Sequence, residues 1–233
     1  MRKALLTLAM ILLSAPASAQ TPADFPPAIS VTGEAQISVA PDIAFVDAGV
    51  ATDAKTAREA SEANNNAMTK VFAALKAANI DARDIQTSRL SLQPQYAPNR
   101  SGPSPVVGYR ASNRVTVRIH DVSKVAGVID TLVAAGANEI GGINFTVSQA
   151  SKLLDEAREK AVADARRKAE IYARAAGVTL GAPLSISEGG APTIPLFRAR
   201  MAPMAAAATP IAQGEETLSV SVGITWAIKQ TAQ

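Results

Sequence analysis

Few residues in this chain can do chemistry. Among 233 residues there is one His and no Cys, which excludes thiol catalysis and Cys-ligated metal and argues against zinc sites and Ser-His-Asp triads. Carboxylates remain. Asp42, Asp47, Asp53, Asp81 and Asp84 are available, and a general acid needs only a raised pKa. Asp42 and Asp84 sit in turn patterns, so Asp47, inside a strand pattern that reads as buried, is the one centre on which a carboxylate hydrolase could be built. A carboxylate at a strand edge or paired with an arginine is the favoured reading of Asp47. His120, alone at a strand end, reads as a surface or capping residue. No G-x-S-x-G, Walker A or G-x-G-x-x-G pattern occurs, so the expectation is no enzyme, no cofactor, no metal and no small-molecule substrate.

Two binding features stand out instead. Arg110, Arg114 and Arg118 alternate with apolar residues along 106–120, which lines them up on one strand face at intervals of about 13–14 Å. Arg89 could join them from a neighbouring strand. The face would suit phospholipid headgroups, lipopolysaccharide or a second subunit; pairing with Asp or Glu, or plain exposure, is the competing reading. The second feature is the Pro/Ala-rich stretch 189–214, which carries Ile194, Leu196, Phe197, Met201 and Met204. It reads as disordered, or as a self-association or lipid-contact loop presenting adaptable apolar area. Arg166, Arg167 and Lys168 are flanked by Asp164 and Glu170, so that cluster is self-neutralised and nucleic acid is not an expected partner.

Regular elements must hold these residues. Residues 151–177 form the longest periodic run, with Leu154, Ala157, Ala161, Ala165, Ala169, Tyr172 and Ala176 on one helical stripe and Gly177 as a left-handed cap. A second helix starts at the Thr56–Glu59 capping box, with Ala60, Ala63, Ala67, Val71, Ala74 and Ala78 inward and Asn64, Asn65 and Asn66 read as solvated surface. A shorter helix spans 121–135. Strands are predicted at 29–39, 43–50, 85–93, 106–120, 140–148, 184–188 and 217–228, the third and fourth as a hairpin with a long Pro-rich tip. The Gly141-Gly142 pair reads as a kink or bulge.

The expected fold is α/β (α+β): a mostly antiparallel sheet of about seven strands with two long helices and one short helix packed on it. The order strand, Ala-faced helix, strand, Pro-rich insertion, strand occurs twice, around 43–120 and 140–228, which suggests a degenerate internal repeat.

Export is written at the N-terminus. Arg2 and Lys3 precede the apolar residues 4–13, and Ala17-Ser18-Ala19 is a small-residue cleavage site, so 1–19 reads as a signal peptide cut after Ala19. The Pro-rich leader 20–28, a domain over 29–229 and a tail at 230–233 follow. Losing Arg2 and Lys3 removes two charges from a formal net charge of +3, so no global pull on nucleic acid remains. One Trp, three Tyr and five Phe are too few for the girdles of a membrane barrel.

Several spaced blocks resemble one family. Residues 29–34, ISVTGE, followed by 39–44, VAPDIA, resemble the opening of the SIMPL-domain family. Residues 84–87, 108–113, 135–138, 156–177 and Gly214-Glu215 resemble its later blocks, in its order. The resemblance implies an α/β domain in exported bacterial envelope proteins, periplasmic and sometimes associated with the outer membrane. It also implies a role in oxidative-stress defence, assembly into homo-oligomers and no agreed catalytic residues. Peripheral contact with the envelope membrane is the other partner expected.

Overall fold

The computed structural model describes residues 26–98, 104–189 and 211–230. Its seven strands are β1 (Ala28–Val39), β2 (Ile43–Ala54), β3 (Ile85–Tyr96), β4 (Val106–Ile119), β5 (Glu139–Thr146), β6 (Val178–Gly189) and β7 (Glu216–Gln230). The helices are α1 (Ala57–Ala77), α2 (Val125–Ala134) and α3 (Ala150–Ala175). The α+β class and the element types are as expected, but the strands divide between two antiparallel sheets, ordered β1-β7-β6 and β3-β4-β2-β5.

The four-stranded sheet is covered on one face by α1 and α2. Ala44, Val46, Ala48 and Val50 of β2 and Val115, Val117 and Ile119 of β4 meet Met68, Val71 and Leu75 of α1 and Val125, Val128, Ile129 and Leu132 of α2. The Thr56 hydroxyl accepts from the Glu59 amide and the Glu59 carboxylate accepts from the Thr56 amide, closing the predicted capping box. The inward stripe of α1 differs from the sequence reading: Ala60, Asn64, Met68, Val71 and Leu75 are buried. Asn64 is therefore not solvated surface. Its amide donates to the Val50 and Ala111 carbonyls at 2.7 and 3.2 Å, and bonding two strands from a helix is why Asn is tolerated at a poor helical position.

The three-stranded sheet is covered by α3. Ala157, Ala161, Ala165 and Ala169 pack on Val220, Val222, Ile224 and Trp226 of β7, with Ile29, Val31, Ala35 and Ile37 of β1 alongside. Small side chains let the helix backbone descend onto the strand. A Cβ on Gly33 would lie 2.0 Å from the Ala161 carbonyl oxygen and 2.5 Å from the Ala165 nitrogen. The end of the stripe is corrected: Ala173 is buried, whereas Tyr172 is 59% exposed. Gly177 takes φ of 68°, as a left-handed cap requires.

The chain changes sheets at Ala40-Pro41-Asp42. There the Asp42 carboxylate accepts from the backbone N–H and the hydroxyl of Ser148, tying the start of β2 to the residue just past β5. The Ser148 hydroxyl, then its amide, holds the Asp42 carboxyl below the usual carboxylate range. The internal repeat finds no support. In a repeat β5 would lie beside β7, but β5 pairs with β2 and β1 takes the place beside β7, so the two long helices brace different sheets. As predicted, the Gly141-Gly142 pair marks a bulge, where the β2–β5 register shifts between Asp47 and Ala48.

Candidate functional site

The arginine face is built by β4 and its neighbours. Arg110, Arg114 and Arg118 alternate with core residues on β4, so their side chains leave from the sheet face opposite α1 and α2. Register brings Arg89 of β3 opposite Arg114. It also brings acids that the spacing along β4 could not reveal.

Asp53 of β2 lies opposite Arg110 and takes a two-pronged pair, Nε to Oδ1 and Nη2 to Oδ2, both 2.8 Å, while Gln95 Nε2 donates to the same Oδ1 at 2.7 Å. Glu139 of β5 accepts from Arg114 Nε at 2.9 Å and from the Ser112 hydroxyl at 2.8 Å. Arg110 holds the Asp53 carboxyl below its usual range; Arg114, with Ser112, does the same for Glu139. Two of the four arginines are thus compensated. Arg89 and Arg118 make no hydrogen bond or ion pair among the described residues and remain the cations this face presents.

The candidate acids fall elsewhere. Asp47 is exposed, not buried, and accepts from the Thr116 hydroxyl at 2.6 Å; the strand pattern misplaces it because no described element covers its face of the sheet. His120 is not alone: its Nε2 is 3.0 Å from Asp84 Oδ1, a partner 36 residues away in sequence that no ligand spacing could have shown. The Ser148 hydroxyl bonds Asp42 rather than His120, so these four groups do not form a nucleophile–base relay. No group of His, Cys, Asp and Glu among the described residues could hold a metal ion.

Sequence reasoning missed one carboxylate. Glu216, the first residue of β7, has one oxygen buried with no partner among the described residues. Burial pushes its carboxyl up. A carboxyl whose folded pKa exceeds its unfolded one destabilises the fold above that folded pKa, and the cost vanishes as pH falls below the ordinary glutamate value. Glu216→Gln is therefore expected to melt higher than wild type at neutral pH and equally once the pH is below the ordinary glutamate value; a lower melting temperature at neutral pH would show the carboxylate to be stabilising.

The second surface feature lies on the edges. Among the described residues, each helix layer leaves large apolar side chains of one outer strand uncovered. On β3, Leu90, Leu92 and Tyr96 are 71%, 48% and 59% exposed, and on β6 Leu184 and Ile186 are also exposed. A groove of about 640 Å³ between α1 and β3 is lined by Phe72, Lys76, Ile80 and Ile85. Ile194, Leu196, Phe197, Met201 and Met204, the candidate loop, lie outside the described residues. The returning end of that stretch is described: Ile211 packs on the core of the four-stranded sheet and Gln213 Nε2 donates to the Val122 carbonyl at 3.3 Å.

Residues 29–226 match the SIMPL family, described as a protein of unknown function (DUF541). The chain belongs to the SIMPL family. This SIMPL protein is 40% identical over 214 residues to a 26 kDa periplasmic immunogenic protein of Brucella melitensis, covering 88% of this chain and 86% of the relative. It is 32% identical over 160 residues to the uncharacterized protein YggE of Edwardsiella ictaluri, covering 69% and 67%. With YggE of Escherichia coli it shares 29% identity over 188 residues, covering 78% and 76%.

Proposed function

We propose that this SIMPL protein is a periplasmic, non-enzymatic envelope component that self-assembles and contributes to oxidative-stress tolerance. The observation that carries the assembly reading is a pair of outer strands, β3 and β6, each presenting large exposed apolar side chains on the helix side of its sheet, beyond the described helix layer. Open edges with apolar flanks are templates for pairing with another chain. A periplasmic location is supported by the signal-peptide pattern at 1–19 and by the name of the Brucella relative. The stress role rests on the family resemblance. Carboxylates tied into ion pairs and hydrogen bonds, as Asp53, Glu139 and Asp42 are, suit a scaffold better than an acid–base centre.

Light scattering on the chain from residue 20 onward tests the assembly. A mass of two or more chains at micromolar concentration is expected; a strict monomer would overturn it. A strain lacking the protein is expected to lose viability in peroxide and recover it with the gene restored.

A further inference from the structure

We propose that β3 adds antiparallel to β3 of a second copy about a two-fold axis through Ser91, joining two four-stranded sheets into one. This rests on the self-assembly reading and names its surface. The edge itself argues for it. Among the described residues β3 is the outer strand of its sheet and pairs with β4 alone, so its other side is free of any described strand and offers backbone donors and acceptors. A bulge between Thr87 and Arg89 interrupts it at one end, and Pro94, with no N–H to give, interrupts it at the other. Between them, residues 89–93 form an uninterrupted stretch.

The register follows from side-chain chemistry. Directly opposed residues in an antiparallel pair share a face, so a two-fold axis must pass through a residue. Placed on Ser91, it sets Leu90 opposite Leu92 of the second copy and Leu92 opposite its Leu90. Arg89 then faces Gln93 and not another arginine, and Pro94 falls opposite Ser88 in the bulge. Moving the axis to Leu90 sets Leu92 against the polar Ser88; moving it to Leu92 sets Leu90 against Pro94. Only the Ser91 axis covers both leucines with leucine.

The rest of the face tolerates the match. Leu90 and Leu92 lie on the α1 side, opposite Asn113 and Ala111 in register, and a two-fold axis perpendicular to the sheet puts both α1 helices on that same side. On the other side Arg110 and Arg114 are already compensated by Asp53 and Glu139. The other outer strands suit it less: the β6 register shifts twice around Pro183 and Glu188 is held by Arg158 at 2.9 Å, the β5 register shifts at its Gly141-Gly142 bulge, and β1 packs its apolar side chains into the core with α3.

The chain has no cysteine, so Ser91→Cys gives a unique reporter. Opposed Cα atoms in an antiparallel pair are about 4.5–5.5 Å apart, within the span a disulfide bridges. Under mild oxidation the Ser91→Cys protein is expected to run as a disulfide-linked dimer, while Ser187→Cys on β6 stays unlinked. Leu90→Lys with Leu92→Lys, both at exposed positions, is expected to halve the light-scattering mass with an unchanged circular dichroism spectrum. If the wild type is a monomer, the self-assembly reading fails and this proposal with it. If the wild type assembles but Ser91→Cys does not cross-link, or links no better than Ser187→Cys, the β3 pairing alone is overturned. The same holds if the double lysine variant keeps full mass.

Discussion

Gly33→Val is expected to unfold this protein or to strip α3 from its sheet. A Cβ at position 33 would stand 2.0 Å from the Ala161 carbonyl oxygen, 2.5 Å from the Ala165 nitrogen and 2.7 Å from the Ala165 Cβ. Two of these atoms are helix backbone, so no rotamer change relieves the clash. The helix would have to rise as a body, opening the layer that buries Val220, Val222, Ile224 and Trp226. Overpacking of a good core costs about 1–3 kcal/mol, and a contact made by rigid backbone belongs at the top of that range or above it. Urea unfolding followed by Trp226 fluorescence measures the loss, since Trp226 is the one tryptophan and is buried beneath α3. Ala165→Leu, enlarging the helix side chain that stands nearest Gly33, should be comparably damaging. A Gly33→Val protein with wild-type midpoint would mean that α3 does not rest on β1.

The second large effect is at Asn64. Its side chain is 1% exposed and its amide donates to the carbonyls of Val50 and Ala111, so a carboxylate placed there meets two oxygens instead of giving hydrogen bonds to them. Asn64→Asp is expected to cost about 3–5 kcal/mol, the scale for an uncompensated buried charge. The cost should be pH-dependent with a definite sign. Burial and the two carbonyls favour the protonated acid, so the folded-state pKa of the new group rises above its unfolded value, and stability returns as pH is lowered through it. Asn64→Leu leaves two strand carbonyls less well satisfied but buries no charge, and should cost less and show no such pH dependence. Denaturant midpoints for both variants, taken at neutral and mildly acidic pH, check the order and the sign. Equal losses at both pH values in Asn64→Asp would mean that the position is wet.

These two residues also show how differently parts of this SIMPL protein could be read in advance. The Ala stripe of α3 was legible because a 3.6-residue period in small residues is a local property of the chain, and the Thr56–Glu59 capping box was legible because its partners are three residues apart. Asn64 was misread because propensity describes a residue's own helix, while the carbonyls that justify it belong to β2 and β4, the farther one 47 residues on. The arginine stripe was half legible. Strand alternation correctly placed Arg110 and Arg114 on one face, but Asp53 and Glu139 reach them only through the β2–β4 and β2–β5 registers. The sequence reads Asp47 as buried because its strand is apolar on both sides, and whether another element covers a sheet face is not a local property.

By itself the sequence determined the element types and nearly all their positions, the α+β class, the caps at Thr56 and Gly177, and, through its spaced blocks, the SIMPL family. Periodicity, turn chemistry and capping act over a few residues, and a linear string records such effects directly. Tertiary structure alone decided that the seven strands form two sheets, that β1 rather than β5 lies beside β7, that acids neutralise Arg110 and Arg114, and that β3 and β6 are outer strands with exposed apolar side chains. Each of these depends on which strand hydrogen-bonds to which, and the competing pairings differ by small sums of long-range packing that no single segment encodes.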